Sequence, residues 1–185
     1  PLQVYEAFSA AENMPDVHTI VVDSLTMLME MYESVYVINS ANTMKSWGDY
    51  AQFYKNLMQQ YVAKSTKNVI FTAHTADTLN ESEMVMETKV PVKGSLKGTG
   101  LEAYFSVIVY AKKVPIKTLK EYKSDILSIK PEEEALGFKH VYQCALTKDT
   151  VNERIRGPMG MFSQQETFMD NDAGKLMNRL REYYD

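Results

Sequence analysis

One cysteine in 185 residues is the first scarcity of this chain. It excludes an internal disulfide framework and a cysteine-built metal cluster, and it suits a reducing compartment. Cys144 itself, in a strand-like stretch, reads as a small buried hydrophobe. No apolar run approaches the ~18 residues of a membrane span, and no secretory leader pattern is visible. Positive charge is also short: 20 Lys and Arg stand against 24 Asp and Glu, a formal net charge of −4. That balance excludes a polycation that coats nucleic acid indiscriminately, while leaving room for a local basic patch. A cytoplasmic protein without membrane partners is the expectation. What remains is ordinary globular composition, with 45% hydrophobic and 24% charged residues, in a chain long enough for one domain with a substantial core. The opening Pro1-Leu2-Gln3, without a methionine, reads as a fragment or a processed product.

The most informative stretch is His18-Thr-Ile-Val-Val-Asp-Ser24. A fully buried parallel strand is a continuous apolar run, so Ile20, Val21 and Val22 fit the centre of an α/β sheet. Ligands of open α/β sheets bind beyond the carboxyl ends of the strands, where Asp23 and Ser24 fall. A carboxylate there can hold a hydrated Mg²⁺ through water and so meet a nucleotide's phosphates, because Mg²⁺ keeps several waters and takes few protein ligands. The competing reading is a polar strand end or a helix N-cap.

Along the chain, residues 3–13 read as a short helix and residues 18–23 as a strand. A helix comes next with Leu25, Leu28, Met29 and Tyr32 at helical spacing, and residues 34–43 read as a loop. A long helix runs from about Trp47 to Lys64; Tyr50 and Tyr54 on its apolar face, with Trp47, could stack on bases, but an aromatic stripe at helical spacing is core by default. Asn68-Val-Ile-Phe-Thr-Ala-His74 is a second buried strand with a polar end. Residues 75–100 show no sustained period and carry Lys93-Gly-Ser-Leu-Lys-Gly-Thr-Gly100, a loop of the length that is usually functional. Two further strands lie at Ala103–Ala111 and Phe138–Thr147, separated by a Lys/Glu-rich surface insertion over 115–137. A basic turn region spans 148–160, and a terminal amphipathic helix runs from Ala173 to Tyr184. Alternating strands and helices predict a mostly parallel α/β sheet, with an antiparallel C-terminal flank. His18 and His140 fall near strand starts, the wrong end for function.

In this order of parts the chain resembles the C-terminal two-thirds of a RecA-type P-loop ATPase core, most closely the small RecA-like ATP-binding proteins of phages that act in strand annealing and recombination. Val21-Val22-Asp23-Ser24 is similar to that family's Walker B strand, and Val69-Ile-Phe-Thr-Ala-His74 to its next sheet strand. The polar end of that second strand senses the γ-phosphate and informs a DNA-binding loop. The recombinases usually have Asn-Gln there; Ala73-His74 matches in position but not in chemistry. Lys97-Gly-Thr-Gly-Leu-Glu-Ala-Tyr-Phe-Ser106 resembles the glycine-rich exit of the DNA-binding loop. The resemblance implies a single RecA-like domain over 1–185, with ATP and Mg²⁺ as cofactors. Asp23 would be the metal-linked and catalytic acid, Ser24 would stand beside it at the nucleotide, and His74 would act as sensor. Lys93, Gly94, Lys97, Gly98 and Gly100 would grip single-stranded DNA, where glycine backbone can approach phosphates closely and lysine attracts them. Lys148 and Arg154 or Arg156 would reach a neighbour's nucleotide in a homo-oligomeric filament or ring, where arginine stabilises charge on a transferred phosphoryl group. The setting implied is a phage protein in the bacterial host cytoplasm.

One departure stands out. G-x-x-x-x-G-K-[ST] occurs nowhere in these residues, and Lys93-Gly-Ser-Leu-Lys-Gly-Thr lacks its spacing. A P-loop holds phosphates with convergent backbone N–H groups and a lysine. The expectation is therefore half of an ATPase site, inactive in unaided ATP hydrolysis. Two alternatives stand beside it: a nucleotide-independent RecA-like module binding DNA or a partner, and part of a helicase-type motor.

Overall fold

The computed structural model describes residues 1–185, with every side chain except that of Thr99. The chain forms two compact units: Pro1–Thr78 with Thr88–Tyr104, and Leu79–Glu87 with Phe105–Asp185.

In the first unit, α1 (Gln3–Glu12) precedes β1 (Thr19–Val22), and α2 (Leu25–Tyr32) comes directly after it. α2 begins there because the Ser24 hydroxyl accepts a hydrogen bond from the Met27 amide at 3.3 Å, an N-cap that satisfies one of the orphan amides of the first turn. The chain stays helical through a widened turn at Glu33–Val37, so the loop predicted over 34–43 is confined to residues 38–42. Val37 is buried, and the widened turn continues the helix far enough to place it there. α3 (Thr43–Asn56), capped by Asn42 on the Lys45 amide at 3.1 Å, runs on through a second widened turn at Leu57–Tyr61. The core between these helices holds Phe8, Leu25, Met29, Tyr54 and Leu57, each no more than 2% exposed. Aromatic rings join it: Tyr5 stacks on Tyr61 and Tyr32 on Phe53, with centroids 4.6 and 4.5 Å apart. Tyr50 and Tyr54 are thus core residues, not a stacking platform.

β1 pairs in parallel with β2 (Asn68–Phe71), with Thr19 opposite Asn68 and Val22 opposite Phe71. Both strands fall where the apolar runs predict, but β1 is not buried on both faces. Ile20 and Val22 are half-buried, while Val21, pointing the other way, is 58% exposed. Successive side chains of a strand point to opposite faces, and the face that Val21 occupies is left open to solvent.

β3 (Ala76–Asn80) and β4 (Val85–Lys89) form a two-stranded hairpin inside the segment read as loop. Ala76-Asp-Thr-Leu-Asn80 does alternate between half-buried and exposed positions, but its half-buried residues are small or polar, so no hydrophobic period of two is visible. A short helix, α4 (Leu96–Thr99), closes the glycine-rich stretch, with Leu96 and Leu101 buried beside it.

The second unit is built on an antiparallel sheet of β5 (Tyr110–Pro115), β6 (Phe138–Gln143) and β7 (Phe168–Asp170), in that order. This is the antiparallel flank that the strand spacing predicts, beginning seven residues later than expected for β5. Between β5 and β6 lie α5 (Ile116–Leu119) and α6 (Pro131–Leu136); α6 starts on Pro131 and ends at Gly137, whose φ of 79° is the left-handed geometry that favours glycine. Of residues 115–137, the charged side chains Lys117, Lys120, Glu121, Lys123 and Glu132 are exposed. Ile116 and Leu119 nevertheless join Val114, Val141 and Phe168 in the core, with Tyr122, Leu127 and Ile129 packed against it. α7 (Ala173–Tyr184) opens on Asp172, whose carboxylate accepts from the Gly174 and Lys175 amides.

Candidate functional site

Because β1 and β2 are parallel and Val22 faces Phe71, the next residues, Asp23 and Thr72, leave the sheet side by side. The backbone continues the ladder: the Thr72 amide donates to the Val22 carbonyl at 3.1 Å, and the Leu25 amide donates to the Thr72 carbonyl at 2.8 Å. The Thr72 hydroxyl donates a hydrogen bond to Asp23 Oδ1. Asp23 is exposed, and its Oδ2 has no hydrogen-bond partner among the described residues. One oxygen is therefore oriented by the protein and the other is open to solvent. That donor set fits a hydrated Mg²⁺ reached through water: a single carboxylate, not a cage. No group of three or more His, Cys, Asp or Glu that could hold a metal occurs among the described residues. The peptide between Asp23 and Ser24 is cis.

Ser24, 7% exposed, is occupied as the α2 cap. Two residues on, Thr26 accepts the His74 amide on its hydroxyl at 2.9 Å, which fixes the chain after β2 against the first turn of α2. The His74 imidazole is exposed and makes no hydrogen bond among the described residues. Asp23, Ser24 and His74 thus gather at one place, the carboxyl end of the parallel pair. Thr72 and Thr26 are the residues that sequence reasoning misses. The signal for Thr72 is there, since two parallel strands that both end on a polar group must set those groups side by side.

A family model for the AAA domain matches residues 2–144. The chain belongs to the AAA domain family. It is a nucleotide-binding AAA-like module with the mixed α/β architecture of P-loop ATPases, a family that works with nucleotide and usually Mg²⁺. No curated protein and no solved structure matches the chain. The match includes Asp23, Ser24, Thr72 and His74 of this AAA domain, and it ends before Lys148, Arg154 and Arg156.

The remaining predicted residues have other surroundings. Lys93 donates to both oxygens of Glu33, at 2.7 and 2.9 Å, so its charge is already matched. Gly94, with φ +60°, lies against Trp47, where an added Cβ would stand 3.2 Å from the ring. Gly100, with φ +75°, ends α4, and a Cβ there would meet Glu102 Oε2 at 2.8 Å. These two glycines are required by the backbone whatever else they do. Lys97 and Gly98 are exposed on α4. In the second unit Lys148 is exposed on a turn, Arg154 reaches Glu87 Oε2 at 3.4 Å, and Arg156 exchanges both backbone hydrogen bonds with Ile108. His18 and His140 lie away from the strand carboxyl ends, as the sequence predicts, and burial pushes the Cys144 thiol up to about 12.

Proposed function

We propose that this AAA domain is the Walker B and sensor half of an ATP-dependent, single-stranded-DNA-binding protein of the phage recombination or annealing type, working as a homo-oligomer in the host cytoplasm. The observation that supports it is the joint position of Asp23, Thr72 and His74 beyond the carboxyl ends of two parallel strands, where ligands of α/β sheets bind. Mg²⁺–ATP, when bound, supplies the phosphoryl group and the charge that such a site recognises. Thr72 holds the Asp23 carboxylate by Oδ1, so that Oδ2 would be free to hold a hydrated Mg²⁺ through water. His74, tethered through its amide to Thr26, would contact the γ-phosphate and so link the nucleotide to the adjoining 75–100 segment. Lys97 and the glycine backbone of that segment meet DNA phosphates, with Lys93 contributing once released from Glu33. Lys148, Arg154 and Arg156 meet the nucleotide of a neighbouring copy.

The test is ATP binding and phosphate release by this chain, with and without single-stranded DNA, beside Asp23→Asn. Nucleotide binding that needs Mg²⁺ and falls about tenfold or more in Asp23→Asn is expected, as for loss of a charged contact. Salt-sensitive DNA binding indifferent to ATP would instead favour the nucleotide-independent module.

A further inference from the structure

A polar cluster in the second unit has no part in the nucleotide site at Asp23. Lys112, on β5, is 24% exposed at its side chain; its ammonium donates to Gln143 Oε1 at 2.8 Å and pairs with the Glu153 carboxylate, itself 15% exposed. It also lies 5.5 Å from the centre of the Tyr110 ring. Gln143, 1% exposed, donates to the Ala145 carbonyl and to the Thr150 hydroxyl, both at 2.8 Å, and the Thr150 hydroxyl accepts the Thr147 amide at 2.9 Å. The polar groups of the cluster are satisfied by one another, and together they gather residues 145–153 onto the β5–β6 pair.

Beyond Glu153 the chain runs extended beside residues 108–112. Ile108 and Arg156 exchange backbone hydrogen bonds at 2.8 and 3.1 Å, the Arg154 amide donates to the Tyr110 hydroxyl at 3.2 Å, and Lys112 holds Glu153. Side chains of extended backbone alternate between faces. Glu153 and Ile155 are accordingly half-buried, while Arg154 and Arg156 are exposed. A slip of one residue would bury the arginines and expose Glu153 and Ile155. An ion pair drawn partly inward adds little net stability, and the best-attested use of such a pair is to fix register.

We propose that Lys112 is a positioning residue, which through Glu153 and Gln143 sets the register of residues 153–156 and so presents Arg154 and Arg156 together to a polyphosphate. This rests on the reading of those two arginines as phosphate contacts. The test is a set of affinities of the full chain for a fluorescent ATP analogue with Mg²⁺: native chain, Arg154→Ala/Arg156→Ala, Lys112→Met, Lys112→Arg, and the triple variant. The arginine pair and Lys112→Met should each weaken binding by about tenfold, the scale of one lost charge-assisted contact. The triple variant should be no weaker than the arginine pair, because Lys112 acts only through them, and Lys112→Arg should restore most of the affinity. A normal affinity in Lys112→Met beside a weakened arginine pair overturns the inference and leaves the phosphate reading standing. So does a further loss in the triple variant, which would make Lys112 a general structural residue. An unaffected arginine pair, or a native chain that binds no analogue, removes the phosphate reading and this inference with it.

Discussion

Asp23 is the centre of the proposed site, and its environment says how that proposal can be tested without breaking the fold. Its only hydrogen-bond partner among the described residues is the Thr72 hydroxyl, and the carboxylate is exposed. Thr72→Val should therefore leave the melting temperature nearly unchanged, within about 0.5 kcal/mol, as for exposed substitutions in general. Nucleotide affinity should fall by about three- to tenfold, because the carboxylate loses the neutral hydrogen bond that orients it. An equal affinity in Thr72→Val, measured with the fluorescent analogue, would show that the threonine merely happens to stand there. Ser24 is a different matter. It is a buried cap, so Ser24→Ala should lower stability by about 1 kcal/mol in a chemical denaturation curve whether or not nucleotide is present.

At the scale of elements, the segment from α5 to α6 is the informative one. Its exposed lysines and glutamates hide an apolar set whose centre, Leu119, is 0% exposed. Leu119→Ala should cost about 2–5 kcal/mol, the range for truncating a buried leucine; a segment lying on the surface would lose under about 0.5 kcal/mol. The turn before α4 carries a second expectation. Gly94 has φ +60° and faces the only tryptophan. Gly94→Ala should destabilise the first unit by about 1–2 kcal/mol, the cost of forcing an L-residue into left-handed backbone. Trp47 fluorescence during denaturation reads that cost directly.

For the molecule as a whole, the two units answer to different probes. Trp47 is the sole tryptophan and sits in the first unit. In the second unit, Asp170 joins β7 to the segment before α6. Burial alone would raise its pKa, but hydrogen bonds from Lys175 and Ser128 and the Lys139 charge outweigh it and hold the carboxyl below its ordinary range. Glu133 is held down as well, by the Lys130 amide first and then by Lys139. A depressed carboxyl contributes stability that is present above its unfolded pKa, near 4, and is lost as pH falls through the lower folded value. Acidification below about pH 4 should thus weaken the second unit, and Asp170→Asn should flatten that dependence. Melting curves by circular dichroism should show both effects. The unfolding midpoint reported by Trp47 should not move with Asp170→Asn; if it does, the two units do not unfold independently.

The sequence by itself determined the parts that depend on local pattern. The apolar runs of β1 and β2, the Ser24 and Asp172 caps and the polar ends at Asp23 and His74 all come from residue type and spacing, because side-chain chemistry and backbone period act over a few residues. Tertiary structure decided which polar ends became neighbours and which faces were covered. Thr72 meets Asp23 only through a parallel register formed across some fifty residues. Val21 stays exposed because nothing among the described residues is packed over the face of the pleat that it occupies. Lys112, which composition assigns to the surface, is drawn inward because Glu153, 41 residues away, is brought to meet its charge. Such pairings are long-range, and no local period records them.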